Sequence, residues 1–173
     1  ITQNDGSIVH AEYAAKFPIY SFSSGSTNSM RGAAFLSALD HAIVVDVGGT
    51  TTDIGCLRQG FPREANNVVS VGGIRTNFRM PDVLSIGLGG GSVVNKSPLS
   101  VGPLSVGYEL AQQARIFGGE ELTATDIAVA SGRVTLGKSS FVNDLDKTLV
   151  GGAMELCGNM IAEAVDRMKP DSS

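Results

Sequence analysis

Tryptophan is absent from these 173 residues, and cysteine and histidine occur only twice each. Cys56 and Cys157 have no partner motif, which leaves no metal-finger or multi-disulfide scaffold. Cys56 lies on a strand-like stretch and Cys157 on an apolar helix face, so both read as reduced core residues. One disulfide between them is compatible with the sequence, but a cytoplasmic, reducing compartment is the expectation. His10 is isolated and His41 merely precedes an apolar run, so neither has metal-ligand spacing. No serine motif is accompanied by a histidine and an acid, and hydrolysis by a triad is therefore not expected. A net charge of −4 and the lack of a basic stripe with interleaved aromatics argue against nucleic acid. No apolar run approaches the roughly 20 residues of a membrane helix. There is no signal-peptide pattern and no initiator Met, and a start at Ile1 suggests an excised fragment.

Glycine, by contrast, is abundant at 22 residues and follows no repeat period, which points to several tight loops in a globular chain. The length suits one domain or a large piece of one, enough to bury roughly 70% of the unfolded surface. The most informative run is Ala42-Ile43-Val44-Val45-Asp46-Val47-Gly48-Gly49-Thr50-Thr51-Thr52-Asp53-Ile54-Gly55. An apolar strand ends in a carboxylate; glycines, hydroxyls and a second carboxylate follow before apolar alternation resumes. That order suits a polyphosphate held with a metal ion. Gly48 and Gly49 let backbone N–H groups approach phosphate oxygens, and Thr50, Thr51 and Thr52 add hydroxyl donors. Asp46 and Asp53 would repel a bare phosphate, so they imply Mg²⁺ or its waters between carboxylate and ligand. One of them could instead orient an attacking group. A Gly-Gly hairpin turn capped by threonines is the plainer reading. It leaves the bracketing acids unexplained. No Gly-Lys-Ser/Thr follows, so this is not a Walker A loop.

Three other segments carry weaker signals. Gly87-Leu88-Gly89-Gly90-Gly91-Ser92 lacks the spacing of a dinucleotide fingerprint, and a tightly packed turn and a ligand contact both fit it. On a strand, Arg75, Asn77 and Arg79 would share one face able to grip a carboxylate or phosphate, although solvated arginines are the commoner outcome. Asp126, following Thr123 and Thr125, reads first as an acid favoured at a helix N-terminus.

The rest of the pattern is α/β. Asn4-Asp5-Gly6 marks a turn, and Ala11 to Ala15 could be helix or strand. Ser21 to Asn28 reads as a small-residue loop, with Asn28 or Ser29 capping a helix through Leu39. Ala42–Val47 and Asp53–Leu57 form a strand pair, with a turn at Arg58-Gln59-Gly60. Val68 to Val71 and Ile74 to Phe78 have strand character, and Asp82 to Ile86 is short and apolar. Helices are expected over Ser105 to Phe117, from a Thr125 cap through Ala130, and along Leu145 to Met168 until Pro170 stops the last. Gly151-Gly152 could break or kink its start.

The run from Asp46 to Asp53 resembles the phosphate hairpin of the actin, sugar-kinase and heat-shock ATPase superfamily. Within that group the chain is similar to the hydantoinase A/oxoprolinase family through an ordered series of motifs. These are Thr2-Gln3-Asn4-Asp5-Gly6, Ser24-Gly25, Asp46 to Asp53, Gly72-Gly73-Ile74-Arg75, Gly89-Gly90-Gly91-Ser92, Val101-Gly102-Pro103 and Leu122-Thr123-Ala124-Thr125-Asp126. It departs at Ser26, where the family usually has proline. The resemblance implies one lobe of an actin-like (ribonuclease H-like) ATPase fold, a mixed sheet with flanking helices, and a single partial lobe over residues 1–173 with its hairpin at 42–57.

It also implies ATP and Mg²⁺ as cofactors, with Asp46 and Asp53 as catalytic and metal-holding acids. Gly48 to Thr52 and Gly89, Gly90, Gly91 and Ser92 would lie at the nucleotide, and the Asp126 segment toward the substrate. The implied activity is ATP-dependent hydrolysis of a cyclic amide of the hydantoin or 5-oxoproline type. A carboxylase of the same family needs the same hairpin, and a nucleotide-gated assembly module is the rival from another class. Expected partners are the remaining lobes of the polypeptide, a hydantoinase B-type subunit or domain, and further copies in a homo- or hetero-oligomer. Alone, the chain is not expected to hydrolyse ATP.

Overall fold

The computed structural model describes residues 1–65, 70, 71, 74, 75 and 80–169, and the chain gathers into two units. Residues 1–46 and 53–84 form the first, together with the end of the last helix; 47–52 and 85–166 form the second. The fold is mixed α/β.

The first unit opens with the expected turn, where Gly6 takes a left-handed φ of +88° and donates its N–H to the Gln3 carbonyl at 3.1 Å. The ambiguous stretch that follows is helix, α1 (Ala11–Lys16). A second helix, α2 (Ser24–Ser37), starts within the stretch expected to be a loop. Ser23, at a left-handed φ of 58°, turns the chain into it. Small hydroxyl residues usually disfavour helix because they bond their own backbone. Here the Ser26 and Thr27 hydroxyls donate to distant partners instead, Asp53 and the Asn4 carbonyl. The helix ends before Leu39, with Ala38 left-handed.

The strands β1 (Ala42–Val47) and β2 (Thr52–Arg58) form the expected hairpin, and the Arg58–Gly60 turn leads into β3 (Phe61–Pro62). β4 (Ser70–Val71) and β5 (Ile74–Arg75) pair antiparallel, and the remaining residues expected as strand between 68 and 78 lie outside the described ones. β6 (Val83–Ile86) joins the main sheet beside β2. Met30 and Ala34 of α2 bury against Leu57, flanked by Ala42, Val44 and Val83. Gly55 makes that packing possible, since a Cβ there would lie 1.8 Å from Met30 Cε.

The second unit contains an antiparallel pair that the sequence reading did not mark, β7 (Ser92–Lys96) and β8 (Leu99–Ser105). The helix expected over Ser105 to Phe117 is instead a series of turns around α3 (Leu110–Gln113). Ala114 breaks it by adopting an extended conformation to bridge Glu121, with Arg115 N–H donating to the Glu121 carbonyl at 3.1 Å. α4 (Ala124–Ala130) is capped by Thr123, not Thr125. α5 (Lys147–Met168) runs unbroken through Gly151-Gly152. A Cβ on Gly152 would lie 2.7 Å from Leu99 Cδ2, so that glycine admits β8 against the helix. The core joins Leu88, Val94, Val101, Leu122, Ile127, Val150 and Ala153. Among the described residues no helix is long and apolar enough to cross a membrane.

Candidate functional site

Gly48, Gly49, Thr50 and Thr51 form the tip of the hairpin, and all of them are exposed. The Gly48 N–H closes the turn on the Thr51 carbonyl at 2.9 Å. Behind the tip stands the glycine loop of the second unit. Gly90 N–H donates to the Gly48 carbonyl at 2.9 Å, and Gly91 N–H to the Gly49 carbonyl at 2.7 Å. Both tip carbonyls are thus held by the protein. Among the described residues no protein acceptor takes the N–H of Gly49, Thr50 or Thr51. A turn with its carbonyls held behind and its amides unengaged favours an anion in front of it. Gly49 adds a steric observation. Among the described residues, its two chain neighbours aside, no atom lies within 4 Å of a Cβ built there, so packing does not require that glycine.

The loop behind is built on different terms. At Gly89 a Cβ would lie 2.6 Å from the Thr50 nitrogen and 2.7 Å from the Gly49 carbonyl carbon. At Gly91 it would meet Ser105 Oγ at 2.8 Å. Ser92 is fully buried, and its Oγ accepts the Gly89 N–H at 2.9 Å. Thr125 anchors the loop from α4, its N–H and Oγ both donating to the Gly90 carbonyl, at 2.9 and 2.7 Å. Thr52 belongs to the same scaffold. It is fully buried and donates its hydroxyl to the Leu88 carbonyl at 2.6 Å. The Thr52 hydroxyl, expected to donate to a ligand, is thus engaged by the Leu88 carbonyl, and the Ser92 hydroxyl is engaged by the Gly89 N–H. Of the three hairpin threonines, Thr50 and Thr51 are exposed and Thr52 is not. A cavity of about 310 Å³ beside the loop is lined by Leu88, Gly89, Gly90, Thr125, Cys157 and Ile161, among others. Burial pushes the Cys157 thiol above its ordinary range, so it stays protonated at neutral pH.

Both acids belong to the first unit. Asp46 is half-buried between the exposed Val45 and Val47 on β1. Asp53 is half-buried on β2, and Ser26 Oγ donates to its Oδ2 at 2.5 Å. The sequence reading missed Ser26 because it took the segment for a loop; the departure from proline at this position was the available signal. Among the described residues no three His, Cys, Asp or Glu side chains cluster to hold a metal. Mg²⁺ is commonly held by one or two carboxylates plus water and phosphate oxygens, and Asp46 and Asp53 fit that donor set.

The other candidates take structural places. Asp126 is fully buried and accepts the Thr123 N–H and Oγ at 2.7 and 2.8 Å and the Ile116 N–H at 2.8 Å. It completes a capping box, in line with the helix-acid reading. Asn77 and Arg79 lie outside the described residues. His10 and His41 are exposed. Cys56 and Cys157 are free thiols, and Cys56 Sγ donates to the Met168 carbonyl at 3.0 Å.

The fold has solved counterparts among ATP-dependent enzymes. The chain superposes on the nucleotide-free structure of acetone carboxylase with a TM-score of 0.69 and 18% identity, covering 96% of this chain and 27% of that one. An ATP-dependent caprolactamase from Pseudomonas jessenii gives a TM-score of 0.65 and 22% identity, covering 87% of this chain and 26% of that one. Residues 1–169 match the hydantoinase/oxoprolinase family model, and the chain belongs to that family. An uncharacterized protein of Methanocaldococcus jannaschii is 24% identical over 97% of this chain and 27% of its own length. The gamma subunit of acetophenone carboxylase from Aromatoleum aromaticum is 32% identical over 65% of this chain and 16% of its own. The chain thus spans about a quarter or less of the curated relatives it matches.

Proposed function

We propose that this chain is the phosphate-binding part of an ATP-dependent enzyme that activates a carbonyl oxygen by phosphorylation, with a cyclic amide as substrate. The observation that carries this reading is the exposed Gly48–Thr51 turn, with the Gly48 and Gly49 carbonyls bonded to the glycine loop and the Gly49, Thr50 and Thr51 amides left for a ligand. Those amides and the Thr50 and Thr51 hydroxyls bind the β- and γ-phosphates. Asp46 and Asp53 hold Mg²⁺ or its waters, and the ion supplies neutralisation of charge on the transferred phosphoryl group. Phosphoryl transfer is mostly positioning and charge stabilisation, which such a turn can provide.

An amide is a poor electrophile. In the proposed reaction its carbonyl oxygen attacks the γ-phosphorus and the bond to ADP breaks. One water then adds to the activated carbon and the C–N bond opens, with a proton passing to nitrogen, which leaves an acyl phosphate. A second water attacks its carbonyl carbon, giving the carboxylate and releasing phosphate with the former amide oxygen. The hydantoin or 5-oxoproline type of ring is the substrate class in this reading, and the family membership and the caprolactamase likeness support it. A second reading has its own support. Acetone carboxylase and the acetophenone carboxylase subunit favour an ATP-dependent carboxylase acting on a ketone with bicarbonate. A nucleotide-gated module without turnover is the third. The chain is then part of a larger enzyme, completed by other lobes of the polypeptide and a hydantoinase B-type partner in an oligomer. The free thiols of Cys56 and Cys157 suit a cytoplasmic setting.

ATP hydrolysis by the full-length protein, measured with candidate substrates, separates the readings. Stimulation by 5-oxoproline or a hydantoin supports the amide hydrolase. Stimulation only by a ketone with bicarbonate supports the carboxylase. ATP binding without stimulation by either class supports the gated module.

A further inference from the structure

We infer that Ser26 is a positioning residue for Asp53, orienting the carboxylate that the proposed function assigns to the metal ion; the inference rests on that assignment. Ser26 lies in the first turn of α2, and Asp53 follows the phosphate turn on β2. Their hydrogen bond, Oγ to Oδ2 at 2.5 Å, spans 27 residues of sequence and is partly buried. A donor fixed on one carboxylate oxygen restrains rotation of the group about its Cβ–Cγ bond. Such outer partners orient metal-holding carboxylates and tune their affinity.

The donor is itself held firmly. The next residue, Thr27, is fully buried and donates its hydroxyl to the Asn4 carbonyl at 3.0 Å. Asn4 is buried too, with its side-chain nitrogen 3.9 Å from Met80 Sδ. Gly6 closes the Asn4 turn at φ +88°, and a Cβ there would come within 3.4 Å of Thr27 Cγ2. The first turn of α2 is thus pinned at adjacent residues, Thr27 to the N-terminal turn and Ser26 to the acid. This explains in physical terms why Asn4-Asp5-Gly6 and Ser24-Gly25-Ser26, remote in sequence from the hairpin, bear on it. A tether with a purely structural purpose would stabilise the fold without affecting metal binding.

The test is Mn²⁺ binding to the full-length protein with a non-hydrolysable ATP analogue, followed by electron paramagnetic resonance, alongside urea unfolding. Ser26→Ala should weaken Mn²⁺ binding about tenfold, the lower range for loss of an outer partner of a metal site. Ser26→Thr, which keeps the hydroxyl, should restore it. Ser26→Cys, with a weaker donor of similar size, should lose less in the same direction and guards against a folding defect in Ser26→Ala. If Asp53→Asn weakens Mn²⁺ binding while the Ser26 variants bind as wild type, the positioning role is overturned and Asp53 keeps its assignment. If Asp53→Asn also binds as wild type, the assignment falls with it.

Discussion

Two of the glycine clusters in the chain, Gly48-Gly49 and Gly89-Gly90-Gly91, are used for opposite reasons. At Gly89 and Gly91 the absent side chain is already accounted for, because protein backbone and the Ser105 hydroxyl lie where a Cβ would stand. At Gly49 the space is open and the residue is exposed. The inner glycines let one segment of chain support another; the outer one leaves room for something that is not part of the chain. The comparison teaches that glycine content alone does not mark a ligand site. In the proposed reading, what marks it is a glycine that no described neighbour requires, next to backbone amides that no described residue engages.

That contrast can be broken by substitution. Gly89→Ala forces a methyl group against the backbone of residues 49 and 50, and should lower stability by about 3 kcal/mol, at the upper end for overpacking. Urea unfolding measures it, and an unchanged midpoint would show that the loop does not press on the tip. Thr52→Val leaves the Leu88 carbonyl buried without its donor, a loss of about 2 kcal/mol. Thr50→Val and Thr51→Val should unfold as wild type does. Equal behaviour of all the threonine variants would erase the division between scaffold and tip.

Smaller free-energy changes are expected in front of the turn. Asp46→Asn or Asp53→Asn should each lower ATP turnover of the full-length protein at least about tenfold, or roughly 1.4 kcal/mol of transition-state stabilisation. Steady-state kinetics at several Mg²⁺ concentrations check this, and wild-type turnover with an unchanged metal requirement would return the hairpin to a structural role. Gly49→Ala should shift stability least, by under about 0.5 kcal/mol, since no described residue beyond its chain neighbours meets the new methyl group. Its effect belongs in nucleotide affinity, read by calorimetry. A large loss of stability in this variant would mean that the tip is packed, not presented.

Much of this was legible in the sequence because the hairpin writes itself locally. An apolar run, a Gly-Gly pair and a second apolar run specify strand, turn and strand whatever surrounds them. The amphipathic spacing of Leu149, Met160 and Val165 likewise announced α5. The departures all depend on distant partners. Ser24 to Asn28 looked like loop because the Asp53 and Asn4 groups that receive the Ser26 and Thr27 hydroxyls lie elsewhere in the sequence. The helix expected over Ser105 to Phe117 failed because Ala114 bridges Glu121. Nor does local pattern separate Thr52 from Thr50 and Thr51; only the Leu88 carbonyl does. The same limit applies to Gly89 and Gly49, identical in composition and opposite in surroundings.

The central claim is that the amides of Gly49, Thr50 and Thr51 receive phosphate oxygens. A crystal structure of the full-length protein with Mg²⁺ and a non-hydrolysable ATP analogue tests it most directly. The account predicts β- or γ-phosphate oxygens within about 3 Å of those amides, at ordinary hydrogen-bond distance, with the Gly48 and Gly49 carbonyls still bonded to Gly90 and Gly91. Phosphates bound elsewhere, with the Gly48–Thr51 tip facing only solvent or another part of the polypeptide, would contradict it.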